Sequence, residues 1–284
     1  MLQKATIETD SIPTFAKLIK EINTDPFDYL ENTDPISMKN SPFVYSNYSP
    51  NENSERQYLS NENALRIDFI RQTIEEWLEQ KLLNHNEYYY LLASLIESIP
   101  YVSNIAGTYG AYLKHWDKRS HKKINLVNLN VTTNYKHNEC FNVDANQLIK
   151  SISGDILYID PPYNSRQYLP NYHLLETISK YDSPEIYGKT GMRPYKEIRS
   201  KYCINKEALN EFADLIENAQ FKHIIVSYST EGIIDYGDIE KVLRNYGLSN
   251  SYKMKKIPYR RYKHISGNID HNLHELLFYI SKDI

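Results

Sequence analysis

The chain has little cysteine, with two residues among 284, and it has no long apolar run. Cys140 and Cys203 are too few for a disulfide scaffold or a cysteine-rich zinc site, and both are expected to be small buried hydrophobic residues. No segment approaches the roughly 18 apolar residues that a membrane-spanning helix needs, and no signal peptide opens the chain. These absences predict a protein of the reducing cytoplasm.

Charge of one sign is also not in excess. The 33 Lys and Arg residues oppose 36 Asp and Glu residues, and the net charge of −3 does not by itself indicate a nucleic-acid-binding protein. Two local clusters nevertheless combine cations with aromatic rings, which neutralise phosphates and stack on bases. They contain Lys114, His115, Trp116, Lys118, Arg119, His121, Lys122 and Lys123, and Tyr252, Lys253, Lys255, Lys256, Tyr259, Arg260, Arg261, Tyr262 and Lys263. Each cluster is equally compatible with an ordinary solvated surface.

The most informative feature present is Asp160-Pro161-Pro162-Tyr163, which ends the apolar run 155–159. The run predicts a short buried strand. An Asp carboxylate and the carbonyl of the next residue can accept both hydrogens of an exocyclic amine on a planar base, which frees the nitrogen lone pair for attack on a sulfonium methyl group. A Tyr can stack on a base taken out of its helix, and the two prolines fix the direction of the carbonyl. The alternative is an ordinary turn at the end of a strand.

The first half of the chain is predicted to be helical and irregular. Apolar spacing predicts helices over residues 11–23, 63–80 and 87–104, with Asn63 capping the second, and the last two are predicted to form a helical hairpin. The polar segment 26–61 predicts irregular structure. Strands and helices then alternate. The predicted strands lie near residues 139–143, 155–160, 223–228, 252–257 and 275–281. The predicted helices lie near 145–151, 171–180, 206–218 and 238–245, with Asp238 as the cap of the last. This order predicts an α/β fold with a mostly parallel sheet and helices on both of its faces.

Several segments together resemble a known family. The loop Asp160-Pro161-Pro162-Tyr163-Asn164-Ser165-Arg166-Gln167-Tyr168 and the following Tyr172-His173-Leu174-Leu175-Glu176-Thr177 are similar to the Dam-like alpha group of N6-adenine-specific DNA methyltransferases. Matching segments elsewhere are residues 45–50, 107–110, 227–232, 260–262 and 275–277. The resemblance implies a Rossmann-like methyltransferase sheet. We expect the helical and irregular region over residues 1–124 to be the target-recognition region and residues 125–284 to be the catalytic portion.

The resemblance assigns roles to individual residues. Asp160, Pro161, Pro162 and Tyr163 are implied to be catalytic, with Asp160 and Pro161 engaging the target amine and Tyr163 stacking on the flipped adenine. Asp144 matches the acidic strand end that contacts the adenine of S-adenosylmethionine, and Asp160 is the second implied cofactor contact. The resemblance implies that Arg166 and Gln167 lie near the DNA or support the loop. Further candidate DNA contacts are Asn164 of the same loop and, from the two basic clusters, Lys118, Arg119, Arg260 and Arg261.

The sequence departs from the family pattern in one respect. Family members have a Phe-x-Gly-x-Gly strand-turn near the amino end, and the only similar glycines, at residues 107–110, follow a predicted helix. The sheet is therefore predicted to be incomplete, with its first strands missing. The strand 155–160 would then expose an apolar edge. We expect poor solubility of the chain alone, or pairing with a second polypeptide that supplies the missing strands.

Two functions remain open at this stage. The first is a site-specific DNA adenine N6-methyltransferase that acts on duplex DNA, uses S-adenosylmethionine and belongs to a restriction-modification or orphan modification system. The second is a truncated or split-gene DNA-binding half that is inactive without its partner. An RNA adenine methyltransferase is disfavoured because glutamine and ribosomal-RNA methyltransferases usually have Asn at the position of Asp160. No metal is expected, because a sulfonium methyl donor needs none and His115, Asp117 and His121 lack the spacing of a strong metal motif.

Overall fold

The computed structural model describes residues 1–36, 38–258 and 273–284, so Arg260 and Arg261 of the second basic cluster lie outside the described residues. The chain forms two compact units. Unit 1 comprises Met1–Phe141 and Tyr168–Tyr195, and unit 2 comprises Asn142–Gln167 and Lys196–Ile284. This division differs from the predicted boundary after residue 124. Residues 125–141 belong to unit 1, where Leu126 and Leu129 are buried in the helical core.

Ten helices and four strands occur in the described ranges. In chain order the helices are α1 (Leu2–Thr6), α2 (Ala16–Ile22), α3 (Pro26–Asn32), α4 (Phe43–Tyr48), α5 (Asn61–Glu79), α6 (His85–Ser98), α7 (Ala145–Leu148), α8 (Tyr168–Lys180), α9 (Ala208–Asn218) and α10 (Tyr236–Tyr246). The strands are β1 (Ser153–Ile159), β2 (Gln220–Ser229), β3 (Lys253–Pro258) and β4 (His274–Ser281). Within these same ranges every helix is too short or too polar to cross a membrane.

Helices α5 and α6 form the predicted helical hairpin of unit 1. The hydroxyl of Ser60 accepts the Asn63 N–H at 3.3 Å and caps α5, so the predicted cap residue is wrong by three positions. Asn84 and Glu87 form a capping box at the start of α6, which satisfies two backbone donors that have no partner inside the helix. The apolar sides of both helices are buried in the core of unit 1.

Helix α4 lies in a segment that the sequence predicted to be irregular. It begins after Pro42, which has no side chain that can cap it. The cap comes from Asp68 of α5, whose carboxylate accepts the N–H groups of Val44 and Tyr45 at 2.9 and 2.8 Å, and the Tyr181 hydroxyl donates to the same carboxylate at 2.6 Å. A carboxylate at a helix start also interacts favourably with the helix dipole. A side chain 24 positions away therefore determines this helix.

A short hairpin near the end of unit 1 is held by Arg56. Tyr187 and Met192 exchange backbone hydrogen bonds, and Gly188 and Gly191 adopt φ values of 68° and 67° that favour glycine. The Arg56 guanidinium donates to the carbonyls of Lys189 and Gly188 at 3.1 and 3.0 Å. The hairpin tip is thus fixed through its carbonyl oxygens.

The sheet of unit 2 has the strand order β1-β2-β4-β3. Strands β1 and β2 are parallel, whereas β2–β4 and β4–β3 are antiparallel. The prediction of a mostly parallel sheet is therefore wrong, because one of these three strand pairs is parallel. The predicted strand near residues 139–143 is also wrong, since that segment is irregular and has no strand partner in the described part of the chain. The backbone N–H and C=O groups of an isolated strand have no neighbouring strand to bond to, so nothing stabilises the extended conformation.

The two faces of this sheet differ in burial. Ile224, Val226 and Phe278 share one face and are buried in a core with residues of α9 and α10. On the opposite face of β1, Ile156 and Tyr158 are 61% and 59% exposed. The helices of unit 2 thus pack against one face, not both as predicted. Strand β1 lies at the sheet edge, and β2 is its only strand partner among residues 1–36, 38–258 and 273–284.

Candidate active site

Asp160 lies where the sequence predicted it, directly after the last residue of β1. Ile159 pairs with Val226 in parallel register, so the carboxyl ends of β1 and β2 meet at the same edge of the sheet. Ligands bind α/β sheets at this edge. The Asp160 side chain is exposed, and the next residue, Pro161, is buried. The carboxylate is therefore available to a ligand, while the backbone that follows it is anchored.

Tyr163 is held against β2 and the segment that follows it. Its ring lies 6.3 Å from the ring of Tyr228 in an edge-on arrangement, and its carbonyl accepts the Ile233 N–H at 2.8 Å. The Tyr228 hydroxyl in turn accepts the Ile234 N–H at 3.1 Å. A Cβ at Gly232 would lie 2.0 Å from the Tyr228 ring, so only glycine fits beneath it. These contacts fix the direction in which the Asp160 loop (residues 160–167) leaves the sheet.

A cavity of about 850 Å³ lies beside the Asp160 loop in unit 2. This volume is in the range of sites for small molecules and cofactors. Both predicted cofactor residues, Asp144 and Asp160, line it. Apolar walls come from Leu148, Ile149 and Leu157, and cations come from Arg199 and Lys201, which the sequence analysis did not single out. No motif in the sequence connects these two cations with Asp160, because they lie about 40 residues beyond it.

Asp144 has a structural contact as well as its place in the cavity wall. Its carboxylate accepts the Gln147 N–H at 3.1 Å and caps α7. Asn146 of the same helix donates to Asp214 and accepts from the Tyr202 hydroxyl, both at 2.8 Å. Helix α7, which positions Asp144, is therefore tied to Tyr202, another residue that lines the cavity.

The polar residues that follow Tyr163 form bonds within unit 2. The side chain of Asn164 accepts the Arg166 N–H at 2.9 Å. The amide of Gln167, which is 9% exposed, donates to the Ser200 carbonyl at 2.9 Å and accepts the Ser200 N–H at 2.8 Å. The Arg166 side chain is exposed, and the structure shows no ion pair for it within the described residues. Of the three predicted DNA contacts here, Arg166 is the most exposed, whereas Asn164 is half-buried and Gln167 is buried.

A second carboxylate, Glu275 of β4, lies near Asp160. Burial raises the pKa of Glu275, and the negative charge of Asp160 raises it further. In the β4 register Glu275 is opposite Ser229, at the same end of β2 at which Asp160 follows β1. In the sequence, Glu275 is visible only as part of a segment that matches the family. The pairing of β4 with β2, which brings the two carboxylates near each other, could not be read from the sequence.

Two further predicted DNA contacts, Lys118 and Arg119, lie in a 3₁₀ turn of unit 1 (Lys118–His121). Asp117 caps this turn by accepting the Arg119 N–H at 3.0 Å. The Arg119 guanidinium donates to the Ile105 carbonyl and lies 3.8 Å from the Asp117 carboxylate. Lys118 is exposed. Arg119 therefore stabilises the local fold, whereas Lys118 is accessible to a partner.

The strand-end Asp-Pro-Pro-Tyr loop and the adjoining cavity agree with the methyltransferase class that the resemblance indicated. A family model described as "D12 class N6 adenine-specific DNA methyltransferase" matches residues 6–242. The chain belongs to this family, and the predicted family is confirmed.

Curated relatives support the same assignment. The chain is 53% identical over 284 residues to the "Type II methyltransferase M.FokI" of Planomicrobium okeanokoites, covering 100% of this chain and 44% of the relative. It is 44% identical over 279 residues to the "Modification methylase StsI" of Streptococcus sanguinis, covering 98% and 42%. It is 38% identical over 290 residues to the "Modification methylase LlaI" of Lactococcus lactis subsp. lactis, covering 100% and 46%. The chain thus spans less than half the length of these relatives. No solved structure matches it.

Proposed function

We propose that this chain methylates N6 of adenine in a specific duplex DNA sequence, with S-adenosylmethionine as the methyl donor, as part of a restriction-modification system. The observation that supports this most directly is the position of Asp160 at the end of a parallel strand and in the wall of a cavity that Asp144 also lines. Membership of the D12 family and the names of the relatives agree with the proposal.

The residues of the cavity fit the proposed cofactor. S-adenosylmethionine, when bound, supplies a methyl group activated by a sulfonium. The carboxylate of Asp144 could accept hydrogen bonds from its adenine or its ribose. Its own carboxylate would pair with the cation of Arg199 or Lys201. Apolar walls such as Leu148 and Leu157 suit a planar base. The residues that line the cavity therefore include a partner for the adenine, the ribose and the carboxylate of the cofactor.

The Asp160 loop would prepare the target amine for attack. The carboxylate of Asp160 and the carbonyl of Pro161 would accept the two N6 hydrogens, which draws the nitrogen toward a tetrahedral geometry and localises its lone pair. The surplus proton on the methylated nitrogen would then pass to the Asp160 carboxylate. Tyr163, fixed against Tyr228, would stack on the base removed from the duplex. The loop is held before substrate arrives, so its contribution is preorganisation.

DNA contacts would come from accessible cations. Lys118 and Arg166 are exposed, and Arg260 and Arg261 join them on sequence grounds alone. Such residues neutralise phosphates and make affinity salt-dependent without reading sequence. We assign target recognition to residues 1–124. Exchanging this region with that of a relative of different specificity should move the methylated site, and an unchanged site would contradict the assignment.

The exposed edge of β1 supports one further part of the proposal, which is that an additional strand pairs with β1 in the active enzyme. Ile156 and Tyr158 present apolar surface on the open face of this edge strand, and an unpaired apolar edge strand promotes association. A second polypeptide that co-purifies with the chain and pairs with β1 would support this. A stable, monodisperse monomer that binds the cofactor tightly would contradict it.

The test is transfer of labelled methyl from S-adenosylmethionine to unmethylated duplex DNA by the purified 284-residue chain. Asp160→Ala should lower the rate at least about 100-fold and leave most DNA affinity intact. Asp155→Ala is the matched control, because Asp155 is an exposed Asp within β1, the strand that Asp160 follows, and its partner is Lys222 at 2.7 Å. Asp155→Ala should transfer at the wild-type rate. Turnover retained in Asp160→Ala would refute the assigned role, and structured RNA methylated faster than DNA would change the substrate.

A further inference from the structure

The segment 196–203, which we call the strap, forms one wall of the cavity. It contains two short 3₁₀ turns, Lys196–Ile198 and Lys201–Cys203. Residues 197–202 line the cavity, together with residues of β1 and α7. A ligand in the cavity would therefore touch the strap along most of its length.

Gln167 ties one point of the strap to the Asp160 loop. Its side-chain amide forms two hydrogen bonds with the backbone of Ser200, one as donor and one as acceptor, at 2.9 and 2.8 Å. The amide bonds to both the carbonyl and the N–H of Ser200, as the backbone of a paired strand would. It therefore fixes both the position and the direction of the strap. The Cys203 thiol adds a weak bond to the Arg166 carbonyl at 3.5 Å.

The other end of the strap is tied to the helix that positions Asp144. The Tyr202 hydroxyl donates to Asn146 of α7 at 2.8 Å and lies 3.2 Å from the Glu211 carbonyl of α9. Lys201 forms an ion pair with Glu211 at 2.7 Å. The strap thus connects the two acidic residues of the cavity, with Gln167 on the side of Asp160 and Tyr202 on the side of Asp144.

We propose that Gln167 is a positioning residue that couples occupation of the cavity to the placement of the Asp160 loop. This inference rests on the proposed function, and it replaces the predicted role of Gln167 as a DNA contact. A ligand that orders the strap lowers the entropy cost of fixing the Asp160 loop, because the loop is bonded to the strap. The coupling is reciprocal, so a fixed loop also favours ligand binding. The amide is buried and its oxygen and one N–H group are already bonded to Ser200, so little of it is left to meet DNA.

The experiment compares wild type, Gln167→Met, Gln167→Glu and the control Gln147→Met, which changes an exposed Gln of the same unit. Gln167→Met keeps the length of the side chain and loses both bonds, whereas Gln167→Glu keeps the acceptor for the Ser200 N–H. Hydrogen exchange of residues 160–167 and 196–203 is measured with and without S-adenosylhomocysteine. Methyl transfer is measured in parallel.

In wild type and Gln147→Met, the ligand should protect both segments. In Gln167→Met it should protect residues 196–203 alone, and kcat should fall about 10- to 100-fold with less than a threefold change in KM for the methyl donor. Gln167→Glu should be intermediate. Wild-type kcat and undiminished protection of residues 160–167 in Gln167→Met would overturn the inference, as would a loss confined to DNA affinity.

Failure of the proposed function would look different. If wild type neither binds S-adenosylhomocysteine nor transfers methyl, the function fails, and ligand-free exchange decides the coupling alone. Faster exchange of both segments in Gln167→Met than in Gln147→Met would then support the link between loop and strap. Identical exchange in these two variants would overturn it.

Discussion

Asp68→Asn should remove both a helix cap and a pH dependence of stability from unit 1. The carboxylate of Asp68 accepts three hydrogen bonds, from the N–H groups of Val44 and Tyr45 and from the hydroxyl of Tyr181. An amide has one acceptor atom, and its NH₂ group would face a donor. Loss of one buried hydrogen bond with an unsatisfied donor costs about 1 to 3 kcal/mol. We expect a loss of this size at pH 7.5.

The pH dependence follows from the raised pKa of the wild-type residue. Burial raises the pKa of Asp68 from its ordinary value of 3.8 to about 6, and the hydrogen bonds from Tyr181, Tyr45 and Val44 oppose this rise. The folded protein therefore binds the proton more tightly than the unfolded chain. The resulting stabilisation is fully present below about pH 4 and is lost as the pH rises through about 6. Between pH 7.5 and pH 5 it adds about 1 kcal/mol to the free energy of unfolding.

The assay is urea denaturation followed by tryptophan fluorescence. The chain has two tryptophans, Trp77 and Trp116, and both belong to unit 1, so the signal reports that unit. Glu76→Gln is the control, because Glu76 is an exposed acid on the same helix as Asp68. Wild type and Glu76→Gln should share the increment between pH 7.5 and pH 5, and Asp68→Asn should lack it. Parallel pH profiles for wild type and Asp68→Asn would refute the reasoning.

Three other predictions follow from packing and exposure. Tyr158→Thr should increase the monodisperse fraction in light scattering without lowering the melting temperature, because it removes exposed apolar surface from the sheet; more aggregation would contradict this. Arg56→Ala should accelerate tryptic cleavage after Lys189 at least about tenfold, because that hairpin tip loses two bonds to the guanidinium; unchanged cleavage would show that Arg56 does not hold the hairpin. Gly232→Ala should cost about 1 to 3 kcal/mol in urea denaturation followed by far-ultraviolet circular dichroism, because its Cβ would lie 2.0 Å from the Tyr228 ring; a stable, fully active variant would show that this ring moves easily.

Features set by local patterns were predicted well. The extent of β1, the strand that becomes β2 and the position of Asp160 after β1 all follow from residues adjacent in sequence. The predicted burial of β1 is wrong, because Ile156 and Tyr158 are exposed. The helical hairpin was predicted for the same reason. The start of α2 was predicted five residues too early, whereas errors at the other predicted helix starts were small, as for α10, where Asp235 is the cap and not the predicted Asp238. Several short polar residues near a helix start can cap it, and sequence alone does not select among them.

Features set by distant contacts were missed. Helix α4 depends on Asp68 in another helix, and the strap depends on Gln167, which lies 33 positions from Ser200. The strand expected near residues 139–143 failed for the opposite reason, because β propensity without a neighbouring strand does not make a strand. Arg199 and Lys201 belong to this same strap and line the cavity. The cavity wall could therefore not be assembled from motif spacing, although its two acidic residues were predicted.

The chain passes between the two units three times, after residues 141, 167 and 195. Unit 1 is thus discontinuous, and β1 with the Asp160 loop is an insertion between two of its segments. A single break in the chain cannot separate the units, and an exchange of residues 1–124 leaves α8 and the Arg56-bound hairpin behind in the recipient. The recipient's helix α8 must then fit the donor's core. Transfer of specificity between relatives should therefore succeed more often when residues 168–195 are exchanged together with the first segment.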